Sequence, residues 1–146
     1  MNTAFLKKVF SVFIKDNKEI IENIKQLCSV LLEQEDYREL KTMISEFEGN
    51  ENAIDHYTRF IDLQHSKEEK EKQGLELTSE ETQVFDQKER AIYSDPVIRK
   101  YLFARKEFQN LQLILNDYFE KTIKLERLPN SRELTKVTRG CGSHNQ

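Results

Sequence analysis

His56 stands beside Glu51, Asp55 and Arg59, a grouping in which an imidazole could exchange protons with a carboxylate held near a guanidinium. Cys141 and His144 could supply half of a tetrahedral zinc site, with the other half coming from another chain. Glu68, Glu69 and Glu71 form an acidic run of the kind that attracts cations. Each grouping has a plainer reading. The His56 group falls at the start of a helical pattern, where a solvated helix surface accounts for the same residue types. The glutamates alternate with Lys67, Lys70 and Lys72, so they support a helix through i,i+4 pairs of about 0.2–0.5 kcal/mol each. Cys141 and His144 lie in a polar end segment, and a disordered end accounts for them better than a metal site does. His56, His65 and His144 are far apart in the chain, and no nucleophile–base pattern accompanies any of them. The residues therefore predict a protein that is not an enzyme, with no catalytic or cofactor-binding residues.

The elements that would carry these residues can be read from composition and periodicity. Only 4 glycines and 2 prolines occur in 146 residues, too few for the many turns of a hairpin-rich fold. Charged residues make up 34% of the chain and hydrophobic ones 37%, with a net charge of −3. That balance is not the electrostatic footprint of a duplex-binding protein, and the mildly basic end lacks aromatics for stacking, so direct nucleic-acid contact is not expected. The cysteines, Cys28 and Cys141, form no CxxC pair. Cys28 lies in an apolar helical stretch and is expected to be a small buried thiol. No run approaches the ~18 apolar residues of a membrane-spanning helix, and FLKKVFSVFIK lacks a small-residue cleavage site. A reduced, cytoplasmic protein is the expectation.

Residues 3–15 read as a short amphipathic helix with a mildly basic polar face. It is expected to dock on its own bundle; the alternative is a membrane surface. Asp16 with Glu19 resembles a capping box, opening a helix that runs through Ile20, Ile24, Leu27 and Leu31. The pattern slips around Glu35-Asp36 and resumes as Tyr37, Leu40, Ile44 and Phe47: either the helix kinks there or, the preferred reading, Asp36 caps a new one. A further helix, capped by Asn50 or Asn52, carries Ile54, Tyr57 and Ile61, then loses its apolar stripe. QHSKEEKEKQ (residues 64–73) is expected to be the exposed end of a helical hairpin, projecting or partly frayed. Lys67, Glu68, Lys70, Glu71 and Lys72 within it form the candidate partner surface. After Gly74, Thr78-Ser79-Glu80-Glu81 is a capping box for a helix through Val84, Phe85, Lys88 and Ile92.

YSDPVIRKYLFARKEF (residues 93–108) then launches the longest pattern. Ser94 or Asp95 can cap, and Pro96 suits the first helical position. The seam Val97, Tyr101, Ala104, Phe108, Leu111, Leu115, Tyr118 alternates spacings of four and three, as in heptad packing. Ile98, Leu102, Phe119 and Ile123 form a second line beside it. Two stripes on one long helix require more than one neighbour, which predicts a homodimer. From residue 126 onward the pattern fades into a flexible polar tail.

The order of these features resembles the YlbF/YmcA family of small helical bacterial regulatory proteins. The likeness rests on Tyr37, Leu40, Ala53, Ile54, Phe60 and Gln64, the turn with Gly74 and Thr78, and Ile92-Tyr93-Ser94-Asp95-Pro96-Val97 with Tyr101-Leu102-Phe103-Ala104. The resemblance implies an oligomeric helical fold without catalysis. It also implies an adaptor role tied to competence, sporulation and biofilm control, and to messenger-RNA processing by ribonuclease Y. Some members end in a Gly/Cys-rich tail associated with an iron–sulfur cluster. Gly140-Cys141-Gly142 looks like a remnant, but one cysteine per chain cannot supply four thiolates, so neither a cluster nor zinc is expected.

Together these readings predict an all-α antiparallel bundle with long heptad-patterned helices, forming a dimer. Its parts are an N-terminal amphipathic segment (1–16), a helical domain (17–125) and the tail (126–146). The expected role is that of a regulator or adaptor acting on itself and on other proteins, related helical proteins or a ribonuclease among them. The alternative is a structural self-associating module at a membrane surface.

Overall fold

The computed structural model describes residues 17–136, and within them the regular structure is entirely helical. In chain order the helices are α1 (Lys18–Glu33), α2 (Glu35–Glu48), α3 (Glu51–Lys72), α4 (Ser79–Ser94) and α5 (Pro96–Leu125). The expected all-α bundle is thus what the chain forms. It divides into two compact units, residues 1–39 and residues 40–146. The amphipathic segment at 3–15 and the Cys141/His144 pair lie outside the described residues.

In the first unit, α1 is capped by Asn17, whose Oδ1 accepts from the Ile20 amide at 3.3 Å. The cap is therefore one residue beyond the Asp16 expected from the capping-box pattern, and Asp16 lies outside the described residues. The helix stops at Gln34, which is extended, so the break precedes Asp36. α1 buries none of its residues: Ile24 and Leu27 are each 50% exposed and Leu32 57%. The expectation for Cys28 is corrected accordingly, since its thiol is exposed. Apolar periodicity identifies the side of a helix that prefers cover; it does not supply the cover.

The second unit is built around the α3/α4 hairpin and the start of α5. Asn50 caps α3 by accepting from the Ala53 amide at 3.0 Å. Its buried positions are Ala53 and Phe60, opposite Phe85 and Ile92 of α4. Phe60 and Phe85 meet at a ring separation of 5.6 Å. The hairpin turns at Gly74, whose φ of +71° an L side chain adopts only at a cost of roughly 1–2 kcal/mol. Thr78 and Glu81 then form the reciprocal capping box, with hydrogen bonds of 2.9 and 3.1 Å.

Residues 64–73 do not fray. The helix continues to Lys72 although no apolar side chain remains to anchor it, because cations take over that task. The Lys67 ammonium lies 4.3 Å from the centre of the Phe85 ring, and Lys70 pairs with Glu81. Val84, placed in the apolar stripe of α4, is instead 46% exposed.

At the next corner Asp95 accepts from the amides of Val97 and Ile98 at 2.9 and 3.3 Å, and Pro96 starts α5 where a missing N–H leaves nothing unpaired. Ile92 and Ile98, 1% and 0% exposed, seal this corner. Tyr101 stacks on Phe47 at 3.9 Å, and Tyr57 meets both rings edge-on at 5.9 and 6.0 Å. This aromatic trio ties α2, α3 and α5 together.

Candidate functional site

The 30 residues of α5 span roughly 45 Å at ~1.5 Å per residue, and their burial changes along that length. In the first half the predicted seam is covered: Val97, Tyr101 and Phe108 are partly buried and Ala104 is fully buried. In the second half it opens, with Leu115 at 42% and Tyr118 at 41% exposure and Leu111 between the two regimes. The flanking line is more open still, Phe119 at 68% and Ile123 at 67%. Helical spacing puts Leu111, Leu115, Phe119 and Ile123 on one side, accompanied by Gln112, Asn116 and Thr122. That side carries no charge, in a chain whose residues are 34% charged. Surface helices normally present charge to water, so an uncharged apolar strip marks a surface built for contact.

The opposite flank of α5 is occupied. Glu126 takes a left-handed conformation (φ 55°) and turns the chain back after the helix. Pro129 is buried. Asn130 Oδ1 accepts from the amides of Arg132 and Glu133, each at 3.1 Å. Glu133 pairs with Arg127 through two bonds of 2.9 and 3.0 Å. The Arg127 guanidinium holds the Glu133 carboxyl below the usual carboxylate range, and the Asn130 amide adds to this. Thr135 then reaches Asp117, donating its hydroxyl at 2.9 Å and its backbone amide to the other oxygen, while Lys121 approaches at 3.0 Å. The Thr135 amide, and after it Lys121 and the Thr135 hydroxyl, keep the Asp117 carboxyl low. Residues 126–136, the first part of the expected tail, make these bonds among themselves and with α5. Periodicity could not reveal them, because they rest on single polar side chains. The only sequence signal was Pro129-Asn130-Ser131, a turn-forming run.

The candidate partner surface on α3 is divided. Lys67 and Lys70 are turned toward α4, where with Leu63, Leu77, Thr78, Glu81 and Phe85 they line a cleft of about 430 Å³. Glu68, Glu71 and Lys72 remain exposed. His56 lines a separate open groove with Arg59 and Lys88 over Phe60, Leu63 and Val84. Asp55 there is engaged by Arg59 at 3.1 Å, an exposed i,i+4 pair. Among the described residues, no group of three or more His, Cys, Asp or Glu is placed to hold a metal ion, and no helix is long and apolar enough to cross a membrane. Asn110, 5% exposed in the middle of α5, is a buried polar residue that the sequence pattern did not single out.

The surfaces that stand out are therefore helical and suited to contact. The chain is 29% identical over 98 residues to a UPF0342 protein of Alkalihalophilus pseudofirmus, covering 67% of this chain and 80% of that protein. No solved structure matches it. The family described as "Control of competence regulator ComK, YlbF/YmcA", a regulatory family, matches residues 20–124. That match takes in all but the ends of the helical region, and the chain belongs to the YlbF/YmcA family.

Proposed function

We propose that this protein is a non-enzymatic regulatory adaptor that pairs with a second copy of itself through the uncharged strip on the second half of α5. The observation that carries the reading is the exposure of Leu115, Phe119 and Ile123 along one side that bears no charge. In a two-fold interface the same patch faces itself, so a strip charged with one sign would set like charges together. An uncharged apolar strip has no such penalty. The regulatory family supports a role exercised on other proteins. Related helical proteins or a ribonuclease are the partners to seek, with the exposed Glu68, Glu71 and Lys72 and the open side of α1 as further contact surfaces.

Sedimentation of the intact chain tests the pairing. The expected species has roughly twice the 17.4 kDa chain mass. Phe119→Lys together with Ile123→Lys should give the monomer with unchanged helicity by circular dichroism. A wild-type chain that sediments as a monomer at all accessible concentrations would remove the reading, as would a double variant that still pairs.

A further inference from the structure

We infer that residues 126–136 are a charge-gated strap, clasped to α5 by Asp117 and able to release while the helical body stays folded. The strap has two parts. The polar groups of its turn are satisfied locally: Arg127 and Glu133 pair, and Asn130 and Glu133 bond to backbone amides within the turn. Its end is different. Among the described residues, Asp117 and Lys121 are the α5 side chains to which the strap bonds, and they engage Thr135. The Asp117 side chain is 13% exposed, and its two oxygens are engaged by Thr135 and Lys121.

The clasp depends on a carboxylate accepting from an amide and a hydroxyl at once. An uncharged amide in its place loses the charge-assisted part of both bonds, and a negative charge at Thr135 opposes Asp117 directly. Lys121 of α5 faces the clasp at 3.0 Å from Asp117, and Lys136 of the strap lines the cleft beside it. Leu134 shares with Ile114 and Tyr118 a cleft of about 490 Å³ between strap and helix. Release opens that cleft and adds Ile114 and the flank of Tyr118 to the apolar surface beside the contact strip. The strap thereby sets how wide a surface α5 offers, a consequence that rests on the contact reading above.

Amide hydrogen exchange on the intact chain tests the clasp whether or not the protein pairs. In Asp117→Asn and in Thr135→Glu, exchange at the Thr135 amide should rise at least ~10-fold, with the Glu133 and Ile92 amides unchanged. Binding of the dye ANS should rise in the same variants as the cleft opens. Unchanged Thr135 exchange in both variants overturns the proposal. So does acceleration that spreads to Ile92, or release without added dye binding.

Discussion

Ile98 and Ile123 are the same residue on the same helix, one 0% exposed at the α4–α5 corner and the other 67% exposed on the strip. Truncating each to alanine therefore isolates burial from chemistry. The change removes three carbons, worth about 2.4 kcal/mol of transfer free energy at ~0.8 kcal/mol each when burial is complete. At Ile98 a cavity is also left against Ile92 and its neighbours, which brings the expected loss to about 3–4 kcal/mol. At Ile123 only about a third of the transfer term applies, or about 0.8 kcal/mol, with no cavity. The helix-propensity gain of alanine over isoleucine is common to both and cancels. Urea unfolding followed by circular dichroism measures the difference, extrapolated to low protein concentration so that self-association does not enter. For a chain of this length the Ile98 variant should melt roughly 10 °C lower. Equal losses at the two sites, or a loss below about 1 kcal/mol for Ile98→Ala, would refute the assignment of the corner as the core.

Glu126→Gly should raise stability by up to about 1 kcal/mol in the same assay, because glycine adopts the left-handed cap without strain. Gly74→Ala should cost roughly 1 kcal/mol from backbone strain alone, since no atom lies within 4 Å of the added carbon, and Gly74→Asn should cost less. The Glu81 carboxyl is held low by Lys70 and then by the Thr78 amide. Its contribution is therefore present above the ordinary carboxylate value and is lost as pH falls through the depressed one. Glu81→Gln should then destabilise at neutral pH and approach wild type in strong acid, read as Tm against pH; a pH-independent difference would contradict the pairing.

Much of the fold was legible in the sequence because its signals are local. The caps at Asn50, Thr78 and Asp95 pair a short polar side chain with amides two or three residues ahead, which spacing alone reveals. The α5 seam was legible for the same reason. Cys28 and Val84 were not, since both occupy apolar positions whose burial depends on a neighbour supplied from elsewhere. The candidate site was half legible: Leu115 and Tyr118 belonged to the predicted seam, but nothing along the chain showed that cover ends near Leu111. Lys67 and Lys70 were placed on a solvated arm because no apolar residue accompanies them. Their partners, Phe85 and Glu81, come from the other helix of the hairpin.

Periodicity, caps and the scarcity of turn residues determined by themselves that this chain makes long helices and where most of them start. Those choices depend on hydrogen bonds and side chains within a few residues of each other. Tertiary structure alone decided which apolar faces are covered, that residues 126–136 return to α5, and that Asp117 and Thr135 meet across 18 residues. Burial and long-range hydrogen bonds depend on what lies on the far side of a surface, and the order of residues along one helix carries no record of that.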